Sequence, residues 1–159
     1  HTYKLPVCIT RCGNIFGPGD FNFSRIVPDT IRAAIKKRKL VIRSDGKFVR
    51  DYIYIKDIID GYLILGKAMA KSGISGQPFN FSNENPMTVL QIVKLIYKLM
   101  DKKPDYKILN QAQYEIKKQY LSSGKAKKLL GWNPKYLLED ALKETIDWHR
   151  TYLGTGVTL

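Results

Sequence analysis

Strand-like and helix-like segments alternate along the chain, and this alternation constrains the fold more than any other feature of the sequence. Runs rich in β-branched and aromatic residues are typical of strands, whereas apolar residues at spacings of three and four indicate helices. Alternating strands and helices favour the α/β class. The predicted strands are residues 6–12, 40–43, 48–55, 77–82 and 106–109, with an extended piece at 119–121.

The helices are predicted from apolar faces and from the residues at their ends. Ser, Asp and Thr accept hydrogen bonds from the first free amides of a helix, and glycine often ends one. The predicted helices run from a Ser24 cap to about residue 38, from an Asp57 cap over about 58–71, from a Thr88 and Gln91 capping box to about residue 100, over 124–130 up to Gly131, and over about 138–152.

Three packing expectations follow from the same patterns. Strand 6–12 is apolar enough to be buried, and helix 58–71 carries so many apolar residues that burial on more than one side is expected. Residues 44–47 have the composition of a tight turn, so segments 40–43 and 48–55 are predicted to form a small hairpin.

Composition excludes several classes of protein. The chain has 159 residues, 44% hydrophobic and 26% charged, which fits one globular domain. Cys8 and Cys12 provide neither a zinc site nor a disulfide framework, so free thiols are expected. The two histidines, His1 and His149, stand at opposite ends of the sequence and do not supply the parts of a His-based triad or a His metal cluster, and both are expected at the surface. With neither a long apolar run nor a signal peptide in the sequence, we expect no membrane segment and a cytoplasmic location.

The charge balance predicts an anionic partner. Lysine and arginine number 27 against 14 acidic residues, a formal net charge of +13. Nucleic acid, an anionic membrane surface and a phosphate-bearing small molecule are the candidates. Most lysines form short clusters typical of solvated helix faces, whereas Arg11, Arg25 and Arg50 lie among glycines, aromatics and asparagines. A small nucleic-acid-binding module is therefore the less favoured reading.

Three clusters of residues are suited to a phosphate-bearing ligand, although the sequence lacks the GxGxxG and GxxxxGK[ST] phosphate-binding motifs. The first joins Arg11 to Asn14 beside a glycine-rich loop, and the second is the aromatic, amide and guanidinium run 21–25 before a helix. In the third, strand alternation places Arg50, Tyr52 and Tyr54 on one side. A plain turn, an ordinary helix cap and a salt bridge are the respective structural alternatives.

Four motifs stand in order along the chain: Arg11-x-x-Asn14-x-Phe16-Gly17-Pro18, Arg50-Asp51-Tyr52-Ile53-Tyr54-Ile55-x-Asp57, Phe79-Asn80-Phe81-Ser82 and Leu130-Gly131-Trp132-x-Pro134. Taken together and in this order, they resemble the C-terminal half of the extended short-chain dehydrogenase/reductase family of NAD-dependent nucleotide-sugar epimerases and dehydratases. The resemblance covers nearly the whole chain, and runs 19–29 and 42–52 are most similar to CDP-glucose 4,6-dehydratases.

The resemblance implies a fold and a reaction. Residues 1–159 would form the last sheet strands of a Rossmann-like fold and a small α/β substrate-binding domain of a longer enzyme. The NAD-binding half, with its glycine-rich loop and Tyr-x-x-x-Lys pair, is not in this sequence, so no catalytic residue is assigned and the piece alone is expected to be inactive. The family reaction oxidises the sugar C4, eliminates water across C5 and C6 and returns hydride to C6. A nucleotide-sugar 4-epimerase stays open as the enzyme alternative, and a homo-oligomer is possible.

The resemblance also implies site residues. The turn at Arg11, Cys12, Gly13 and Asn14 would lie near NAD and the sugar diphosphate. Substrate contacts, with CDP-glucose as the favoured substrate, would come from Asn14, Phe21, Asn22, Ser24, Arg25, Arg50, Asn80 and Tyr120. Gln119 stands beside Tyr120 where relatives often have arginine, so a phosphate contact there is in doubt.

Overall fold

The structure is a computed structural model that describes residues 5–112 and 114–154. His1, for which a surface position was expected, lies outside the described residues. The strands are β1 Ile9–Cys12, β2 Asn14–Phe16, β3 Leu40–Ile42, β4 Val49–Tyr54, β5 Pro78–Phe81, β6 Pro86–Thr88, β7 Tyr106–Ile108 and β8 Lys118–Gln119. The helices are α1 Ile26–Ile35, α2 Ile55–Ala68, α3 Val89–Leu99, α4 Gly124–Leu130 and α5 Leu138–Gly154.

Parallel pairing dominates the sheets, as expected for an α/β fold. β1 pairs with β5, β2 with β4 and β3 with β7, all in parallel. β4 also pairs with β8 in parallel and with β6 antiparallel, and so occupies the centre of the largest sheet. Because Gly13 separates β1 from β2, the chain passes there from one sheet to the next.

Two apolar cores lie on opposite sides of β4. Tyr52 and Tyr54 point into the first core, which α1, α3 and α5 enclose. Ile53 points into the second, which includes the side chains of Phe81 and Trp132. The alternation predicted for this strand is therefore confirmed, except that β4 ends at Tyr54 and Ile55 begins α2.

The hairpin predicted for segments 40–43 and 48–55 is wrong. β3 pairs with β7, much later in the chain, and β4 lies between β2 and β6. The turn itself forms, with Gly46 at φ +79 and Ser44 accepting from its amide. A local turn signal does not determine which strands pair, because the final partner of a parallel strand is distant in sequence.

Two predicted helix caps are also wrong. The N-cap of α1 is Arg25 rather than Ser24, and α1 ends at Ile35 because Lys37 adopts a left-handed φ of 51. The N-cap of α2 is Tyr54, while Asp57 lies in its first turn and accepts from the Lys135 amide at 2.7 Å. The Ser24 hydroxyl donates instead to Asn22 Oδ1, two residues before it, whereas Asp57 accepts from an amide much later in the chain, so other partners occupy both side chains that local propensity assigned to caps.

Burial differs from expectation in two neighbouring elements. Strand 6–12 was expected to be buried, but β1 covers only Ile9–Cys12 and Ile9 is 58% exposed. In α2 only one face is buried, and Ile59, Tyr62 and Leu63 are exposed among the described residues. β1 and α2 contact each other through the Thr10 hydroxyl, which donates to the Tyr62 hydroxyl at 3.1 Å. Their apolar outer faces pack on nothing within the described part of the chain.

Candidate functional site

A cleft of about 210 Å³ opens where β2, β3 and β4 meet the start of α1. β2 and β4 begin at this edge and β3 ends at it, so side chains of three strands meet in the cleft. The cleft brings together four residues singled out in the sequence: Asn14, Ser24, Arg25 and Arg50. Val41, Phe48 and Val89 supply apolar walls beside them.

Arg50 is held in the cleft by β4. Its side chain is 14% exposed, and its Nη1 donates to the Val49 carbonyl at 2.9 Å. Its Nη2 lies 3.7 Å from Glu115 Oε2, and the guanidinium carbon is 5.6 Å from the Phe48 ring centre. A guanidinium oriented in this way retains donors for a second anion, such as a phosphate.

Arg25 carries a second guanidinium to the same cleft from the start of α1. It forms a salt bridge with Asp20 at 3.0 Å and donates to the Ile15 carbonyl. Asn14 lies opposite, in register with Tyr52 on β4. Arg25, Arg50 and the amide of Asn14 thus lie beside the N-terminal end of a helix, a setting that favours anions.

Tyr52 supplies a buried hydroxyl to the cleft wall. The residue is 2% exposed, and its hydroxyl has no hydrogen-bond partner among the residues described. Burial raises the pKa of Tyr52 well above its ordinary value, while the Arg50 charge opposes that rise. The hydroxyl therefore stays protonated at neutral pH and can donate to a ligand. A buried polar group without a partner requires an explanation, and a ligand in the cleft provides one.

The Arg11–Asn14 turn lies at the edge of this arrangement. Arg11, Cys12 and Gly13 do not line the cleft. The Gly13 amide donates to the Phe81 carbonyl at 3.1 Å, and a Cβ on Gly13 would lie 2.9 Å from Asp51 Oδ2. Burial raises the pKa of the Cys12 thiol, whose sulfur is 3.6 Å from the Tyr62 hydroxyl. Glycine here serves packing against Asp51, and a contact to NAD stays a prediction.

Phe21 and Asn22 shape the loop that carries Ser24 and Arg25. Asn22 Oδ1 accepts from the amide of Ser24 at 3.2 Å and from its hydroxyl at 2.5 Å. Phe21 packs on the rings of Trp148 and Tyr152, with ring centres 5.5 and 4.8 Å away. Both residues therefore position the loop, and neither lines the cleft.

Asn80 and Tyr120 also lie outside the cleft lining. Asn80 donates through Nδ2 to the Ser122 carbonyl at 3.2 Å, next to its register partner Arg11. Tyr120 is 58% exposed and follows β8. Asn80 lies beside β1, and Tyr120 follows β8, which pairs with β4. The substrate roles of both residues stay predictions.

Sequence reasoning missed two charged residues of the cleft. Arg43 follows β3, and Glu115 reaches Arg50 from the segment before β8. Neither forms a motif with its sequence neighbours, and Glu115 lies far along the chain from Arg50. The only signal for Arg43 was its place in a run with glycine, aspartate and aromatic residues.

His149 is a correction to the expectation of a surface residue. It is fully buried on α5, with Nδ1 2.8 Å from the Thr145 carbonyl oxygen and Nε2 3.2 Å from that of Asp20. The contact to Asp20 joins α5 to the loop that carries Arg25 into the cleft. The sequence of α5 alone gave no indication that His149 would contact a main-chain carbonyl so far away along the chain.

Among the described residues, both cysteines are free thiols, and none of the helices combines the length and the apolar character that a membrane span requires. Residues 5–112 and 114–154 hold no group of three or more His, Cys, Asp or Glu side chains placed to bind a metal. An open groove of about 740 Å³ lies between Pro18 and the α5 residues Glu144, Asp147, Trp148, Thr151 and Tyr152.

Comparison with known proteins points to one family. Residues 1–81 match the family model described as the NAD dependent epimerase/dehydratase family. The chain is 31% identical over 150 residues to a trifunctional UDP-glucose 4,6-dehydratase/UDP-4-keto-6-deoxy-D-glucose 3,5-epimerase/UDP-4-keto-L-rhamnose-reductase of Arabidopsis thaliana. That alignment covers 93% of this chain and 22% of the plant protein.

Two solved structures show the same fold. The UDP-glucose 4-epimerase of Thermotoga maritima, solved with UDP-glucose, has 31% identity and a TM-score of 0.79 over 92% of this chain. The dTDP-glucose 4,6-dehydratase of Bacillus anthracis, solved with NAD, has 27% identity and a TM-score of 0.80 over 94% of this chain. The chain spans 46% of each of these two structures. The predicted Rossmann-like α/β class is confirmed.

Proposed function

The chain belongs to the NAD-dependent epimerase/dehydratase family, and from that membership we propose that it is the nucleotide-sugar-binding portion of a CDP-glucose 4,6-dehydratase. The family model and the relatives support the broad class, since they include both dehydratases and epimerases that act on nucleotide sugars. The choice of CDP-glucose rests on the resemblance of runs 19–29 and 42–52.

One observation carries the proposal: the guanidinium groups of Arg25 and Arg50 meet the amide of Asn14 and the hydroxyl of Tyr52 in one cleft. A sugar diphosphate carries two negative charges that paired guanidinium groups bind through short, charge-assisted hydrogen bonds. The unpartnered Tyr52 hydroxyl offers a neutral donor beside them. Nearby apolar walls from Phe48 and Val89 suit the flat faces of a nucleoside.

The chain's own residues bind and orient the substrate in this proposal. NAD would supply hydride chemistry at the sugar C4 and C6, and the groups that move protons at C4 and C5 would come from sequence outside this chain. In this proposal the Arg11–Asn14 turn would line one side of the NAD site. The amide of Gly13 in this turn already donates to the Phe81 carbonyl.

The exposed apolar faces of β1 and α2 support a longer enzyme. Ile9, Ile59 and Leu63 are each about half exposed or more, and isolated soluble proteins seldom leave such residues grouped on adjoining elements. We propose that the NAD-binding half of the enzyme packs against these faces. This assignment agrees with the comparisons, because the chain aligns with less than half of each of the two solved structures.

The product identifies the reaction. The full enzyme is incubated with NAD and CDP-glucose, and the nucleotide sugar is analysed by mass spectrometry. Loss of one water with retention of the cytidine diphosphate is the expected result. A product of unchanged mass whose sugar shows an altered configuration by NMR would assign a 4-epimerase. An unchanged CDP-glucose beside a converted UDP- or dTDP-glucose would contradict the choice of nucleotide.

A further inference from the structure

Glu115 is placed beside the cleft by main-chain hydrogen bonds on either side of it in sequence. The Gln111 amide donates to the Arg43 carbonyl at 2.7 Å, and the Val49 amide donates to the Lys117 carbonyl at 2.8 Å. Glu115 lies between these anchors and reaches Arg50, with 3.7 Å between Oε2 and Nη2. The ion pair aligns the carboxylate with the cleft that both residues line.

The cleft therefore contains charged groups of opposite hydrogen-bonding character. The carboxylate of Glu115 only accepts hydrogen bonds, whereas the guanidinium of Arg43 only donates them. The same cleft lining includes the apolar residues Val41, Phe48 and Val89. Diphosphate binding needs the two arginines Arg25 and Arg50, but it gives no role to a carboxylate, which repels phosphate. The carboxylate of Glu115 therefore suits a part of the ligand that donates hydrogen bonds, rather than the diphosphate.

The nucleobase is the part of the ligand whose polar edge can match the acceptor Glu115 and the donor Arg43. Cytosine presents an amino donor at N4 next to acceptors at N3 and O2, and a carboxylate is a suitable partner for N4. Uracil and thymine present an acceptor at O4 and a donor at N3, the reverse at both positions. A carboxylate facing O4 and a guanidinium facing N3–H would each be left unpaired, which penalises those bases.

We propose that Glu115 and Arg43 select cytosine, Glu115 by accepting from the N4 amino group and Arg43 by donating to N3 or O2. This inference rests on the proposed function, because it assigns the base of the ligand whose diphosphate binds Arg25 and Arg50. It makes Glu115 a specificity-determining residue. Arg50 then has two partners, a substrate phosphate and the carboxylate that it orients.

Glu115→Gln is a suitable test variant. The Glu115 side chain is 52% exposed, so its ion pair contributes little to folding. The amide of glutamine both donates and accepts, and so it can serve either base. Glu139→Gln is the matched control, because Glu139 lies exposed on α5 outside the cleft lining. Thermal unfolding of each variant checks that the fold is kept.

The measurement is the dissociation constant of CDP, UDP and dTDP by calorimetric titration of the purified protein. We expect CDP to bind about tenfold more tightly than UDP or dTDP, the discrimination typical of one well-matched base contact. Glu115→Gln should reduce the preference for CDP to within about threefold, mainly by weakening the binding of CDP. Glu139→Gln should preserve the preference of the parent protein. Arg43→Ala should also reduce the ratio.

Three results would overturn the inference. Equal affinity of the parent protein for CDP and UDP would remove the base preference itself. A uniform gain of affinity for all three nucleotides in Glu115→Gln would show that Glu115 only competes with phosphate for Arg50. Absence of binding by all three would overturn the proposed function, and this inference with it, whereas binding without base preference overturns the inference alone.

Discussion

His149 Nε2 lies 3.2 Å from the main-chain carbonyl oxygen of Asp20, and this contact joins the last helix to the loop before α1. The side chain of Asp20 in turn holds Arg25 at 3.0 Å. A buried residue on α5 thereby supports a cationic side chain of the cleft. The position of Arg25 therefore depends on α5 packing as well as on the loop sequence.

Replacing His149 should affect both stability and the cleft. His149→Phe keeps a ring but removes the ring N–H that the carbonyl of Thr145 or Asp20 accepts, so we expect a loss of about 1–3 kcal/mol in unfolding free energy. Urea denaturation measures it. Arg150→Ala, an exposed neighbour on α5, should change stability by less than about 0.5 kcal/mol. An unchanged denaturation midpoint in His149→Phe would show that the contact to Asp20 does not support the fold.

Arg50 should dominate phosphate affinity. Removing its guanidinium in Arg50→Ala costs the charge-assisted hydrogen bonds, and we expect CDP-glucose to bind about 10- to 100-fold more weakly. Arg50→Lys should recover only part of this loss, because lysine lacks the planar pair of donors. Calorimetric titration supplies the constants. Equal affinity in the parent and in Arg50→Ala would place the diphosphate elsewhere.

Asp51 should make the protein less stable as pH rises. Burial raises the pKa of this carboxyl. The Ser82 hydroxyl and the amides of Asn83 and Leu121 oppose the rise in pKa, but none of them forms a hydrogen bond of normal geometry with the carboxyl. Between the ordinary and the raised pKa the native state keeps a proton that the unfolded chain has lost. Stability therefore falls with rising pH, by up to about 1.4 kcal/mol per pH unit.

Urea denaturation from about pH 4 to pH 8 tests this sign for Asp51. Asp51→Asn cannot titrate, so its stability should fall less over this range than that of the parent. Part of the decrease in stability with rising pH should persist in Asp51→Asn, because burial also raises the pKa of Asp57. Asp140→Asn, on the exposed side of α5, is the control and should follow the parent. A parallel profile for Asp51→Asn would refute the assignment.

Two glycines of α2 should respond in opposite ways to alanine. A Cβ on Gly61 would lie 2.7 Å from Phe81 Cε1, within the second core, whereas a Cβ on Gly66 meets nothing within 4 Å. We expect Gly61→Ala to destabilise by about 1–3 kcal/mol through overpacking. Gly66→Ala should stabilise by up to about 1 kcal/mol through helix propensity. Similar changes in the two denaturation midpoints would contradict the packing described for Gly61.

Local signals predicted local structure well. The capping box of Thr88 and Gln91 is present at the start of α3, and Gly131 ends α4 with a left-handed φ of 67. Each depends on residues within one or two helical turns. The hairpin of β3 and β4 failed because the partner of β3 is β7, and no signal near β3 encodes that pairing.

The candidate site was predictable where side chains belong to a motif. Asn14, Arg25 and Arg50, which their motifs singled out, line one cleft, and their contacts to a substrate stay predictions. Arg43 and Glu115 were missed because the cleft assembles from segments far apart in sequence. The surface position expected for His149 failed for the same reason, since its partner Asp20 lies at the other end of the chain.

The most direct test of the account is to locate the nucleotide sugar on the protein. Isotope-labelled protein is titrated with CDP-glucose, and the NMR shifts of backbone amides and arginine guanidinium groups are followed. The account predicts saturable shifts centred on Asn14, Arg25 and Arg50. Shifts confined to the groove beside Trp148, or loss of binding at modest salt with no saturable site, would contradict it and favour a different ligand site or a merely electrostatic surface.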